Sequence, residues 1–260
     1  MRMSVFLTVL VVAMTAMVSR ASAIEGFDPE ISGKLEARIL QGPGVAVFDA
    51  DNTLWRDDVG EGFFEWLAHG RKLKDMLPGE DPMQEYAHRC DQDLTAGYAW
   101  AVTRMAGLRE ADVRRWADAY FRVVFAKRVF EPQKALIRFL QQHGWEVWIV
   151  SASNRWVAQA GARWVGVPQE HVVGVDLEVV DGLLTEKLAY PMTHRAGKVL
   201  AIDRFIKRRP DLVSGDSEGD REMMLYSRGL ALLIADPSRK SQKDMRDLAR
   251  KRGWLMQNLK

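Results

Sequence analysis

The sequence predicts an α/β protein: a parallel sheet covered by helices on both faces, with a helical cap inserted after the first strand. Three observations carry this expectation. Short apolar runs recur along the chain, among them VAVF at Val45–Phe48, WEVWIV at Trp145–Val150 and LALLIA at Leu230–Ala235. After Pro132, segments of helical periodicity separate such runs, so strand and helix alternate. Between the first run and the second lies a block, Val59 to Phe130, with few β-branched runs and with aromatic and aliphatic residues at helical spacing.

Length and composition agree with a sizeable core: 260 residues, 47% apolar and 28% charged. The first residues obey a different grammar. A positive charge at Arg2, a nearly unbroken apolar stretch from Val5 to Val18 and the small residues Ala21-Ser22-Ala23 form a secretory signal pattern. Residues 1–23 are therefore expected to be cleaved, giving an exported, periplasmic protein with no stable membrane insertion; an uncleaved anchor is the alternative. Cleavage removes two of the 37 basic residues, Arg2 and Arg20, and none of the 35 acidic ones, which leaves a net charge of zero. That balance gives no reason to expect a nucleic-acid partner. The single cysteine, Cys90, rules out an intramolecular disulfide, so the core alone must hold the fold.

In chain order, Gly44–Asp49 reads as the first strand, after a Gly-Pro-Gly turn signal. The cap block begins with Phe63, Phe64, Trp66 and Leu67, breaks at Pro78-Gly79 and Pro82, and continues as long periodic segments over Met83–Met105 and Glu110–Phe130. Then come a helix at Gln133–Gln142, the strand at Trp145–Val150 and a helix at Arg155–Val165. A β-hairpin is expected over Val172–Leu184, with Asp181-Gly182 as its turn. Helices over Lys198–Arg208, Glu218–Ser227 and Ser241–Lys251 alternate with strands at Leu212–Ser214 and Leu230–Ala235, and Trp254–Met256 reads as an edge strand. The domain boundaries follow: a core from 24–57 and 131–260, and a cap over 58–130.

Open parallel sheets bind ligands beyond the carboxyl ends of their strands. Asp49, Ser151 and Asp216 each follow a predicted strand, so one rule of fold brings three separated polar groups together. Each has an ordinary reading: Asp49 and Asp51 as a turn or cap, Ser151 as a helix N-cap, Lys198 as a solvated lysine, and GDSEGDREM at Gly215–Met223 as a capped helix start. An EF-hand reading of the first motif fails, because Leu54 stands where that loop needs glycine and Gly60 where it needs glutamate.

Taken in order, DADNT at Asp49–Thr53, SAS at Ser151–Ser153, Gly197-Lys198 and GDSEGD at Gly215–Asp220 resemble the four motifs of the haloacid dehalogenase-like (HAD) hydrolase superfamily, specifically its phosphatases. The resemblance spans about residues 43–256 and implies a HAD-like Rossmannoid core. It implies that Asp49 is the nucleophile of an aspartyl-phosphate intermediate and Asp51 the general acid and base, with Ser151 and Ala152 at the phosphoryl group. Lys198 would balance charge, and Mg²⁺ would be held by Asp49, the backbone carbonyl of Asp51, Asp216 and Asp220; an all-oxygen set suits that ion. A helical cap between the first and second motifs resembles the phosphoserine phosphatase subgroup. The DNT at Asp51–Thr53, the SAS, Pro191-Met192-Thr193 and the export signal are similar to bacterial exported phosphorylcholine phosphatases.

The expected substrate is then a small phosphate ester with a cationic head: phosphocholine, phosphoethanolamine or phosphoserine. Asp58 and Trp55 are the candidate head-group contacts, with Asp57, Trp66, Tyr98, Trp100 and Trp116 as further possibilities. Asp57 and Asp58 read equally well as the cap and first turn of a helix, and the aromatics as core. The alternatives are a phosphatase for a non-cationic substrate and a catalytically silent binding protein on the same fold.

Overall fold

The computed structural model describes residues 24–74, 76 and 79–259; the expected signal segment, 1–23, lies outside the described residues. Six strands form one parallel sheet: β1 (Val45–Phe48), β2 (Glu146–Asn154), β3 (Val172–Val175), β6 (Leu212–Gly215), β7 (Leu230–Ile234) and β8 (Leu255–Gln257), in the order β3-β2-β1-β6-β7-β8. This is the predicted α/β architecture. In β1 the side chains alternate between two cores. Ala46 and Phe48 join the larger cluster with Trp55, Phe63 and Ile149, while Val45 and Val47 join the cluster on the other face with Ile202, Val213 and Met223. A central strand is buried on both faces, so apolar residues fill both registers.

Helices α6 (Glu131–Gln142), α7 (Arg155–Val165), α8 (Ala196–Ala201), α9 (Arg221–Tyr226) and α10 (Lys243–Arg252) make the crossovers. A further helix, α1 (Pro29–Ile39), precedes the sheet, capped by Asp28, whose side chain accepts from the Glu30 N–H, with Pro29 at its first position. The sequence reading passed over it.

Among the described residues, four α-helices stand between β1 and α6: α2 (Val59–His69), α3 (Pro82–Gln92), α4 (Leu94–Thr103) and α5 (Glu110–Tyr120). The segment read as one continuous pattern over Met83–Met105 is two helices. Asp93 breaks it with an extended backbone, φ −152° and ψ 108°, and its carboxylate caps α4 by accepting from Thr95 and Ala96 N–H groups. Beyond α5 the chain widens into one turn of π-helix over Phe121–Phe125 before returning to the core.

The expected hairpin over Val172–Leu184 needs correction. Val172–Val175 is β3, an edge of the main sheet, and the hairpin is β4 (Leu177–Val180) with β5 (Leu183–Leu188), a separate two-stranded sheet. Asp181 and Gly182 do form its turn, both at positive φ (49° and 77°). The apolar period is the same for a parallel edge and a hairpin arm, so the pattern ran straight through the junction at Asp176. Among the described residues no helix is long and apolar enough to cross a membrane.

Candidate active site

The neighbours β2, β1 and β6 end side by side, and their carboxyl ends carry Ser151, Asp49 and Asp216. Asp49 is 6% exposed. One of its oxygens accepts from Lys198 Nζ at 2.5 Å and the other from Thr53 Oγ1 at 3.0 Å, so the carboxylate is held from both sides. Lys198, 2% exposed, also donates to Asp220 Oδ1 at 2.6 Å. The other Asp220 oxygen accepts from the backbone N–H groups of Asp216 and Ser217, both at 3.0 Å. Gly215 is required here, because a Cβ would lie 2.8 Å from the Asp220 carboxyl carbon. Asp216 pairs with Arg239 at 2.5 Å, and Gln242 holds its backbone carbonyl at 2.8 Å.

Asp51 faces the cavity from the turn after β1 and is held by three donors. Trp55 Nε1 and the Val59 N–H share one oxygen at 2.8 and 2.7 Å, and Ser153 Oγ donates to the other at 2.6 Å. The two acids of the first motif thus have separate partners: Asp49 faces lysine and the acids that follow β6, and Asp51 faces neutral donors.

Burial pushes the Asp49 carboxyl up to about 7, and Asp220 adds to the rise against the pull of Lys198. Asp51 is likewise raised to about 7 by burial and then by Asp58. Asp216 is held well above the usual carboxylate range by burial and by Asp220. Burial works to lower Lys198, but Asp220 and Asp49 together outweigh it, and its ammonium is held charged. Seven acids, Asp49, Asp51, Asp58, Glu61, Asp216, Glu218 and Asp220, line this cavity with Arg195, Lys198 and Arg239, so the pocket is short of positive charge.

That shortage bears on a metal. One oxygen each from Asp49, Asp216 and Asp220 lies within 4.8 Å of the others, all three residues buried. The donors are hard oxygens and carry excess negative charge, which fits a hard divalent cation.

Not every residue singled out in the sequence reaches the cavity. Its wall at the β2 end is made by Ala152, Ser153 and Asn154, while Ser151 is fully buried, its hydroxyl accepting the Ser153 N–H at 3.0 Å. Trp55 does not face the substrate space. It is fully buried, edge-on to Phe121 at 5.1 Å, and its indole N–H is spent on Asp51. Trp66 stacks on Phe63 at 6.0 Å, Trp100 packs on Phe64 and Trp116 lies against Lys72; Tyr98 is the member of that set on the cavity wall, joined by Phe64 and Tyr86. Asp57 turns outward to Arg128 at 2.9 Å. Asp58 does both things considered for it. It caps α2 by accepting from the Glu61 N–H at 2.8 Å, and it lines the cavity, where burial raises its carboxyl to about 6.

Several partners were invisible beforehand. Ser153 follows Ser151 by two residues, so strand period places both on one side; that signal was available in the SAS motif. Thr53 and His194 gave no comparable signal. His194 joins core to cap, its Nδ1 2.8 Å from Thr95 Oγ1 and its ring edge-on to Tyr98 at 5.4 Å.

A parallel sheet with acids and a buried lysine converging at its carboxyl edge, under an inserted helical cap, is the framework of a capped hydrolase built on a Rossmann-like core. The family model described as haloacid dehalogenase-like hydrolase matches residues 46–225, and the chain belongs to that family. No curated protein matches it. Among solved structures it is similar to a protein of unknown function from Bordetella pertussis Tohama I, with TM-score 0.70 and 21% identity over 84% of this chain and 100% of that one. A functionally unknown protein from Anaerococcus prevotii DSM 20548 has TM-score 0.71 and 17% identity over 91% and 94%. A probable phosphoserine phosphatase from Vibrio cholerae has TM-score 0.55 and 18% identity over 76% and 58%. At these identities the likeness is one of fold.

Proposed function

We propose that this protein is a Mg²⁺-dependent phosphomonoester hydrolase acting through an aspartyl-phosphate on Asp49. The observation that carries the reading is the division of labour between the two acids of the first motif. Asp49 lies against Lys198 and the acids that follow β6, where a cation would offset the charge of the acids and of a phosphoryl group. Asp51, separately buried among neutral donors, is poised to carry a proton.

Asp49, Asp216 and Asp220, with the backbone carbonyl of Asp51, would hold Mg²⁺, which when bound offsets the acids' charge and polarises the phosphoryl oxygens. In the first half-reaction an Asp49 oxygen attacks phosphorus, and Asp51 gives its proton to the departing alkoxide oxygen. In the second, Asp51 takes a proton from the water that attacks the acyl phosphate, freeing Asp49 and phosphate. Lys198 keeps Asp49 oriented and draws charge from the transferring group. Ala152, on the cavity wall at the end of β2, is the proposed phosphoryl contact on the opposite side, with Ser151 buried beside it and holding the Ser153 N–H.

The leaving group is proposed to carry a cation, as in phosphocholine, phosphoethanolamine or phosphoserine. Asp58 and Glu61 both line the cavity from the first turn of α2, and among the described residues the cap lends the cavity no lysine or arginine. The signal pattern of residues 1–23 supports action outside the cytoplasm.

The test is hydrolysis of p-nitrophenyl phosphate and phosphocholine, with Mg²⁺ and after its removal by chelator. Activity is expected on both esters with metal and on neither without. Asp58→Ala should lower kcat/KM for phosphocholine about tenfold or more relative to p-nitrophenyl phosphate. Equal losses would reduce Asp58 to a helix cap, and no metal-dependent turnover of any ester would favour a silent binding protein.

A further inference from the structure

The cavity above Asp49 holds about 400 Å³, within the range of sites that enclose whole organic ligands. It is larger than a phosphoryl group with a short charged head requires, and its two ends differ in chemistry. The first turn of α2 rests on the catalytic floor: a Cβ on Gly60 would lie 2.4 Å from Ser153 Oγ, the hydroxyl that donates to Asp51. Asp58 and Glu61 lie at this end.

Along the same face of α2, Phe64 and Leu67 line the cavity. At the helical rise they stand about 6 and about 10 Å beyond Gly60. Opposite them, α4 and the turn after it contribute Leu94, Ala101, Val102 and Met105, spaced to share one helix face. Beyond Asp58 and Glu61 the cap's share of the wall has no charged residue among those described.

Packed interiors leave few voids larger than a water molecule, and apolar walls facing open space forfeit dispersion contacts. Ala101, Val102 and Met105 are buried in the larger hydrophobic cluster yet border this void. An apolar chamber of this depth, opening onto an acid-lined catalytic floor, calls for an apolar occupant attached to the group undergoing chemistry.

We propose that the chamber between α2 and α4, walled by Phe64, Leu67, Leu94, Ala101, Val102 and Met105, is a leaving-group subsite for an alkyl or aryl moiety reaching about two helical turns beyond the phosphate. The substrate is therefore an amphiphilic phosphate monoester, with any cation near Asp58 and Glu61 and an apolar moiety beyond them, larger than the compact esters given above as examples of a cationic leaving group. The proposal rests on the phosphoester reading for the position of the phosphate.

Calorimetric titration of the Mg²⁺-loaded full chain with n-alkylphosphonates, from ethyl to hexyl, tests the subsite without requiring turnover. Kd is expected to fall about fourfold per added methylene, the value for burying one CH₂. Val102→Phe, which narrows the chamber, should end that gain at a shorter chain, and Leu67→Asp should flatten it. A flat series with wild-type protein, or no binding by any member, overturns the proposal. Hydrolysis of the matching n-alkyl phosphates is read separately. A rising affinity without hydrolysis keeps the subsite and overturns the phosphatase reading, whereas hydrolysis with a flat series does the reverse.

Discussion

The two ends of the parallel sheet bury aspartates in opposite ways. At the amino end, Asp211 precedes β6 and is 3% exposed. Arg38 and Arg228 meet one of its oxygens at 2.8 and 2.9 Å; the Val45 N–H and Arg208 meet the other at 3.0 and 3.3 Å. Burial works to raise its carboxyl, but the Val45 N–H and the arginines overcome that, and it is held below the usual range. At the carboxyl end, Asp49 and Asp216 are similarly little exposed and driven upward. Asp49 and Asp216 also lie deeper in the protein than Asp211, so depth and the supply of positive charge together set the behaviour of each acid. The amino end is electrostatically complete and ties α1, β1 and β6 together. The carboxyl end is incomplete, and the missing charge is what a cation would bring.

The strongest challenge to this contrast is Asp49→Asn. Loss of the nucleophile should cut kcat by at least about 10⁴-fold. The same change removes one like charge from a crowded cluster while keeping its shape, so the metal-free protein should gain on the order of 1 kcal/mol and melt a few degrees higher. Activity assays and a thermal melt in chelator check both halves. A lower melting temperature would mean that the carboxyl end is as well compensated as the amino end.

Asp51→Asn comes next and tests whether the second acid carries the proton. A loss of about 10² to 10⁴-fold is expected on an alkyl phosphate. The loss should be much smaller on p-nitrophenyl phosphate, whose leaving group departs without protonation. Equal losses on the two esters, measured as kcat, would count against general-acid catalysis.

The effect expected at the amino end is on stability and leaves activity unchanged. Asp211→Asn should destabilise the fold by about 2–4 kcal/mol, because three arginines lose their counter-charge. Since the folded carboxyl titrates below its unfolded value, its contribution is fully present above about pH 4. It fades as pH falls through the depressed folded value. Chemical denaturation of wild type and variant should therefore differ most near neutrality and converge in acid. A constant gap down to low pH would show that the carboxylate's charge is not what stabilises this end.

Much of the molecule was legible in the chain because its signals are local. Apolar runs of four to six residues mark strands whatever surrounds them, and the acids of the first motif follow one directly, so their place at a strand end needs no knowledge of the rest. The order of the motifs then joined Asp49, Lys198, Asp216 and Asp220 on one edge through the general rule for open sheets. The break at Asp93 and the division of the predicted hairpin at Asp176 were less legible, since the apolar period continues across both. Apart from Lys198 beside Asp49, the partners of the acids were not read from the sequence. Trp55 turns inward to hold Asp51, although an aromatic four residues after an acid reads equally well as a wall of the substrate site. Ser153 reaches the same acid across 102 positions, and Arg38 reaches Asp211 across 173. Such contacts depend on which face each helix presents once the sheet has closed. The sequence by itself determined where charge would be buried; only the tertiary packing decided which charges would be matched, because matching requires two distant side chains to arrive at the same few ångströms.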